Sequence, residues 1–75
     1  MEELVKYIVK ALVTKPDEVD IRRVDTQDGY IIEVRVAHDD MGKIIGRQGR
    51  IARAIRTVVK SASAAEDKKV TVEII

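Results

Sequence analysis

The chain has 75 residues, of which 45% are hydrophobic and 36% are charged, a balance that indicates one small globular domain rather than a disordered segment. It contains no cysteine, which excludes a disulfide framework and a thiolate metal site. The formal net charge is +1, too small to indicate a partner by itself.

The apolar N-terminal segment predicts neither a signal peptide nor a membrane span. It carries Glu2 and Glu3, is interrupted by Lys6 and Lys10, and lacks a small-residue cleavage site. No apolar run approaches the ~20 residues that a bilayer span requires. We therefore expect a single cytoplasmic domain over residues 1–75.

The first element in chain order is an amphipathic helix. Its apolar stripe consists of Leu4, Val5, Ile8, Val9 and Leu12. The helix ends near Pro16, since proline disfavours helical geometry in the residue before it. Val19 and Ile21 then alternate with polar residues, as in a strand. Because Val24 breaks this alternation, we expect a bulge or the strand end near Arg23.

A hairpin and a second strand follow. Residues 27–29, Gln-Asp-Gly, form a turn signal, and the apolar residues from Tyr30 to Val36 alternate with Ile31 and charged residues. We expect Tyr30, Ile32, Val34 and Val36 to face the core. The two strands should therefore pair as an antiparallel hairpin.

The second half predicts two helices and a last strand. A short helix covers Met41–Ile45, with Asp39 or Asp40 as its N-cap. A longer one runs from about Arg50 to Ala64, and residues 70–74 alternate as a strand. Because two helices separate the second and third strands, these strands should be parallel. The expected fold is an α+β two-layer sandwich, α-β-β-α-α-β, with a three-stranded mixed sheet and all helices on one face.

The segment Gly46-Arg47-Gln48-Gly49 separates the two predicted helices. Glycine inside a helix costs about 1 kcal/mol relative to alanine, but it permits unusual dihedrals and a close backbone approach. The N-terminus of the following helix offers amide groups and the positive end of its dipole to a phosphate. A plain tight turn between packed helices has the same pattern, so the four residues alone do not decide between the two.

The charges are unevenly distributed around this segment. Residues 41–65 hold six of the 14 basic residues and none of the 13 acidic residues. Such a block favours an anionic partner, although a solvated helix face has the same composition.

The string Gly-Lys-Ile-Ile-Gly-Arg-Gln-Gly-Arg-Ile-Ala-Arg-Ala-Ile (residues 42–55), set between strands, resembles the KH domain in its type II arrangement. The chain looks most like the small bacterial single-KH proteins of the KhpA family. The resemblance implies a domain that binds single-stranded RNA and acts as an RNA chaperone or post-transcriptional regulator. It also implies a homodimer, or a heterodimer with a larger Jag-type KH protein, and no cofactor.

The resemblance also assigns the RNA-binding residues. Gly46 and Gly49 match the loop glycines that, in KH domains, clamp the backbone of about four nucleotides, with Arg47 and Gln48 as the variable pair between them. A groove beside the loop would hold the bases. The full set is Lys43, Ile45, Gly46, Arg47, Gln48, Gly49, Arg50, Ala52 and Arg53.

The roles within this set differ. Lys43, Arg47 and Arg50 are the expected phosphate contacts, and Arg53 would assist them. Ile45 would form part of the groove floor. Either Ile51 or Ala52 would also form part of the floor. In many KH loops the apolar floor residue lies three positions after the second glycine. Here that position holds Ala52, and the larger Ile51 precedes it. From the helical period, Arg56 and Lys60 should point into solvent and attract RNA at long range.

Three alternative functions compete with this interpretation. An enzyme is disfavoured because His38, Asp39 and Asp40 have no further histidine or cysteine to complete a metal or acid–base site. A KH-fold protein-interaction module remains open, with Ile31 and Ile75 on the open sheet face as candidates for its interface. Single-stranded DNA as the ligand also remains open, since the choice of RNA needs a 2′-hydroxyl contact that no sequence pattern reveals.

Overall fold

The computed structural model describes the backbone of residues 1–75 and every side chain except that of Arg47. Its elements are, in chain order, helix α1 (Glu2–Leu12), a short 3₁₀ helix (Pro16–Glu18), strands β1 (Asp20–Asp25) and β2 (Gly29–Arg35), helix α2 (His38–Ala62) and strand β3 (Lys69–Ile74). The 3₁₀ helix was not predicted. Pro16 occupies its first position, where the missing amide hydrogen is of no consequence.

The sheet has the order β1-β2-β3, so β2 is central and β3 is an edge strand. β1 and β2 pair antiparallel around the predicted turn, and β2 and β3 pair parallel across the connection that contains α2. The expected mixed sheet is confirmed. β2 and β3 meet closely at Gly29, where a Cβ atom would overlap the backbone carbonyl of Lys69, so only glycine fits this position.

The core lies between one face of the sheet and the two α-helices. α1 contributes Val5 and Val9, and β2 contributes the alternating side chains of Tyr30, Ile32 and Val34, all buried as predicted. Val36 is also buried. From α2 and β3 come Ile44, Ala52, Ile55, Val59 and Val72. Leu12, predicted on the buried stripe of α1, is instead 38% exposed because it is the last residue of that helix.

The predicted irregularity near Arg23 is wrong. β1 and β2 stay in register from Asp20 to Asp25 without an extra residue. Arg23 occupies an inward-facing position, and its guanidinium lies over the Tyr30 ring, 3.9 Å from the centroid. An arginine that covers an aromatic ring fills the place of an apolar residue, so Val24 falls on the outer face. There Val24 pairs with Ile31, which is half-buried.

The two helices predicted around the glycines form one helical segment, α2, which begins at His38 rather than Met41 and ends at Ala62 rather than Ala64. Two consecutive residues interrupt its right-handed path: Gln48 has φ 63° and Gly49 has φ 68°. The α-helical value is about −63°. The break is only two residues long, and the chain is helical on both sides of it. Within the described chain, neither α-helix combines the length and apolar character that crossing a membrane requires.

Candidate nucleic-acid interface

The interruption of α2 lies within the Gly46–Gly49 segment, which we call the clamp loop. Gln48 adopts the left-handed region, which costs a residue with a side chain about 1–2 kcal/mol. Gly49 follows in the same region, where glycine is free of that penalty. Backbone strain of this kind is concentrated at binding sites. The glycine at position 49 is thus explained by the local conformation.

The space around the clamp loop is open. A Cβ atom built on Gly46 or on Gly49 would meet no described atom within 4 Å beyond their chain neighbours and the helix's own nearby backbone. Gly46 also has no positive φ. Neither packing nor conformation therefore requires glycine at position 46. Because Gly46 has no side chain, its backbone is accessible at this position.

The cations around the clamp loop face solvent. Lys43, Arg50 and Arg53 are exposed. Among the side chains that the structure describes, none of these three forms a salt bridge; the four ion pairs recorded involve Lys15, Arg22 and Arg23 with carboxylates elsewhere. The predicted contact through the Arg47 side chain lies outside the described residues. The three described cations are thus available to an external anion.

The apolar candidates differ in the surface that they offer. Ile45 is 51% exposed, so most of its side chain is available to a ligand. Ile51 is half-buried and packs against the core. Ala52 is 5% exposed and belongs to the core itself, so its side chain has little surface left for a base. Of the two residues left open by the sequence, Ile51 is the more accessible.

A groove of about 540 Å³ runs between the second half of α2 and β3. Its walls are mostly apolar, and basic side chains contribute to its lining. The lining includes Arg56, Val59 and Lys60 from α2 and Val70, Thr71 and Val72 from β3.

Arg56 and Lys60 are exposed, as their helical positions predict, but Arg56 also contacts β3. Its Nε donates a hydrogen bond to the backbone oxygen of Val72, 3.3 Å away, which places the guanidinium at the wall of the groove. Sequence reasoning missed this contact because the helical period fixes a direction from the helix axis but not the neighbour in that direction. The signal that could have found it is the edge position of β3, because an edge strand leaves backbone carbonyls unpaired.

The loop after α2 closes one end of the groove. The Tyr30 hydroxyl donates a hydrogen bond to Oε2 of Glu66 at 3.3 Å and ties this loop to the sheet. Burial, followed by the nearby Glu66 charge, raises the pKa of Tyr30 above its usual value, so the hydroxyl keeps the proton that it donates.

The acidic pair that precedes the clamp loop has a structural role different from the predicted one. Neither Asp39 nor Asp40 is the N-cap of α2, which is Ala37. Asp40 is buried, and its carboxylate accepts hydrogen bonds from the backbone N–H and hydroxyl of Thr14 and from the backbone N–H of Lys15. The Thr14 N–H is the largest cause of the lowered pKa of Asp40. The carboxylate thus fixes the end of α1 against the start of α2.

In the described part of the chain, no three His, Asp or Glu side chains come together as a metal ion would require. Lys15 also forms a salt bridge with Asp39 at 3.1 Å, so this carboxylate is engaged as well.

The comparisons with known proteins agree with this architecture. Residues 2–74 match the family described as "KhpA/KhpB, KH domain". Over 75 residues the chain is 56% identical to the RNA-binding protein KhpA of Clostridium perfringens and 57% identical to the RNA-binding protein KhpA of Caldanaerobacter subterraneus subsp. tengcongensis, covering 100% of both chains in each case. The RNA-binding protein KhpA of Listeria monocytogenes is 47% identical, with 100% of this chain and 99% of the relative aligned. No solved structure matches the chain significantly. On the family match and on identities of this size over the full length, the chain belongs to the KhpA/KhpB family of KH domains.

Proposed function

We propose that this protein binds single-stranded RNA and holds its phosphate backbone at the clamp loop, without catalysis. The observation that carries the proposal is Gly46, a helical glycine that neither packing nor conformation of the described residues requires. A glycine that weakens a helix with no internal gain is explained when an external backbone lies against it. The names of the KhpA relatives support RNA as the ligand.

The proposed contact combines backbone and side-chain donors. Amide groups at the break in α2 and the positive end of the following helical half face the phosphates. Lys43, Arg50 and Arg53 add charge on the same stretch, and Arg47 lies at its centre in the sequence. Ile45, Ile51 and the groove between α2 and β3 would receive the bases. Ala52 would support this floor from the core rather than touch the RNA.

Binding by one such domain is expected to be weak. The chain has two aromatic residues: Tyr30 is buried, and Tyr7 lies on the exposed side of α1. The base–aromatic stacking that strengthens many single-strand binders is therefore missing from the proposed interface. The expected dissociation constant is in the micromolar range or weaker, which corresponds to a binding free energy of about −8 kcal/mol at best.

The test is fluorescence anisotropy of a labelled single-stranded RNA pool with the double variant Arg47→Asp plus Gln48→Asp. Both glycines remain, so the loop keeps its conformational freedom while it gains negative charge. The matched control is Lys6→Asp plus Gln27→Asp, which changes the charge equally at exposed residues of α1 and the β1–β2 turn. Circular dichroism verifies the fold of each protein.

The expected result is salt-dependent binding by the wild type and the control, and at least tenfold weaker binding by the clamp-loop variant. Equal binding by all three proteins would refute the clamp-loop assignment. Absence of binding by the wild type would refute RNA binding and favour a protein-interaction module. A DNA pool of the same sequences tests whether the 2′-hydroxyl contributes to affinity.

The proposal extends to the setting of this activity. The protein would act in the cytoplasm and would associate with a second copy or with a larger KH-containing protein. The exposed apolar side chain of Val58 on α2 (43%) favours such association. Light scattering of the wild type and of Val58→Asp tests it: a lower mass for the variant is expected, and identical monomeric masses would oppose self-association.

A further inference from the structure

The groove between α2 and β3 lies within reach of an RNA held at the clamp loop. Arg56 is seven residues beyond Gly49, which corresponds to about 10 Å along a helix. A KH clamp engages about four nucleotides, which exceed this distance when extended. The inference that follows rests on the proposed function, because it concerns the base that such an RNA would place in the groove.

One side of the groove is the free edge of the sheet. The backbone N–H of Lys69 donates to the oxygen of Asp28, the residue before β2, and that of Ile75 donates to the oxygen of Val34 in β2. Successive residues of a strand alternate in direction. Val70, Val72 and Ile74 therefore turn their backbone groups away from β2. The oxygen of Val72 would be the natural acceptor for a base amino group, but Arg56 already donates to it.

The contact with Val72 fixes the guanidinium and leaves most of its donors unused. Arginine has five N–H donors, and only the one on Nε is used in this hydrogen bond. Within the described side chains, no carboxylate forms a salt bridge with Arg56. The groove lining includes the carboxylate of Glu66, but this group accepts a hydrogen bond from Tyr30. The guanidinium of Arg56 thus presents two adjacent N–H donors, a double donor, at a fixed place in the groove wall.

A double donor selects among the bases by their hydrogen-bonding edges. Guanine presents two adjacent acceptors, O6 and N7, which match the two-pronged guanidinium. Adenine places its N6 amino donor beside N7. Cytosine presents an N4 amino donor at its major-groove edge, but N3 and O2 of the unpaired base are also adjacent acceptors, so the test includes a cytidine RNA. Uracil offers the O4 acceptor alone at this edge. In single strands such edges are accessible, because the bases are not paired.

We infer that Arg56 reads a guanine base in the groove between α2 and β3 through O6 and N7. The sequence preference of the protein is then for single-stranded RNA that contains guanine, and Arg56 is the residue that sets it. Lys60, one helical turn further along the same wall, contributes charge without such a preference.

The test uses labelled seven-nucleotide RNAs that differ at one central base: uridine throughout, or a single guanosine, adenosine, cytidine or 7-deazaguanosine in a uridine background. The variant is Arg56→Lys, which keeps the charge and removes the planar pair of donors. The matched control is Arg35→Lys, an exposed arginine on β2 whose side chain lies on the outer face of the sheet.

The wild type and Arg35→Lys should bind the guanosine RNA about tenfold more tightly than the uridine, adenosine or cytidine RNA, as one bidentate contact provides. Replacing N7 by carbon should remove most of this advantage. Arg56→Lys should bind all five RNAs alike. Equal affinities of the wild type for guanosine and either uridine or cytidine, or an advantage retained by Arg56→Lys, would overturn the assignment.

The failure of this inference differs from the failure of the proposed function. If the wild type binds all RNAs equally and the Arg47→Asp plus Gln48→Asp variant binds none, the clamp loop stands and the guanine assignment falls. If the wild type binds none of them, both fall. The 7-deazaguanosine comparison needs only the wild type, so the test holds even if Arg56→Lys does not fold.

Discussion

Three glycines of α2 respond differently to replacement by alanine, and the differences separate folding from binding. Gly42 and Gly46 have no positive φ, and a Cβ atom at either position meets no described neighbour within 4 Å outside the local helix. Gly49 has φ 68°. Alanine should therefore stabilise the protein at positions 42 and 46 and destabilise it at position 49.

The magnitudes follow from the local conformation. In a helix, alanine is more favourable than glycine by roughly 0.5–1 kcal/mol, which is the expected gain for Gly42→Ala and for Gly46→Ala. At position 49 the left-handed conformation costs alanine about 1–2 kcal/mol, partly offset by the lower entropy of its unfolded chain. The net loss for Gly49→Ala is about 1 kcal/mol. In a domain of this size, 1 kcal/mol corresponds to about 4–8 °C in Tm.

Thermal unfolding followed by circular dichroism measures the three stabilities, and RNA anisotropy measures binding by the same proteins. Gly46→Ala should be more stable than the wild type yet bind RNA at least tenfold more weakly, since its methyl group lies where the RNA backbone would approach. Gly42→Ala, the matched control, should gain the same stability and bind RNA normally. A destabilised Gly46→Ala variant, or one that binds as well as the wild type, would refute the argument that this glycine serves the ligand.

Three further predictions concern Asp40, Gly29 and the cations. The folded-state pKa of Asp40 is below its ordinary value of 3.8, so its ionised form stabilises the protein above that pH, and the contribution is lost as the pH falls through the folded pKa. Unfolding by urea at pH 7 and at pH 3 should therefore show a smaller loss of stability on acidification for Asp40→Asn than for the wild type; equal losses would contradict this. Gly29→Ala should destabilise the protein by about 2 kcal/mol or more in the same urea assay, because its Cβ would overlap the Lys69 carbonyl. An unchanged midpoint of urea unfolding would show that the strand ends move apart freely. Arg50→Gln should reduce the steepness of the plot of log binding constant against log salt concentration by about 0.7 for single-stranded RNA. The control Arg35→Gln should leave this slope unchanged. Equal slopes for the wild type and Arg50→Gln would exclude a phosphate contact at Arg50.

The elements of the fold were predictable because each has a strong local signal. The alternation in residues 30–36 identified the central strand, and the helical character of the connection between β2 and β3 indicated the parallel pairing that the sheet adopts. The error near Arg23 arose where a charged side chain occupies a core-facing position. The period of the apolar residues cannot reveal that Arg23 covers the ring of Tyr30, since this contact joins two strands.

The residues of the candidate site were predictable to different degrees. The clamp loop is visible in the spacing of Gly46 and Gly49, whereas the strained conformation of Gln48 depends on how α2 resumes after the break. The position of Asp40 in the sequence predicts a helix cap. Its hydrogen-bond donors instead come from the segment that follows α1, 25 and 26 residues earlier. The contact of Arg56 with Val72 likewise joins distant segments. Local patterns thus identify elements and motifs, while contacts across the fold require the structure.

The most direct test of the central claim is an NMR titration of the uniformly ¹⁵N-labelled protein with a short single-stranded RNA. The account predicts that the largest amide shift changes fall on residues 43–53 and extend to the α2 and β3 walls of the groove, and that they follow one saturating curve. Changes confined to α1 or to the outer face of the sheet would contradict the account, because the ligand would then bind away from the clamp loop.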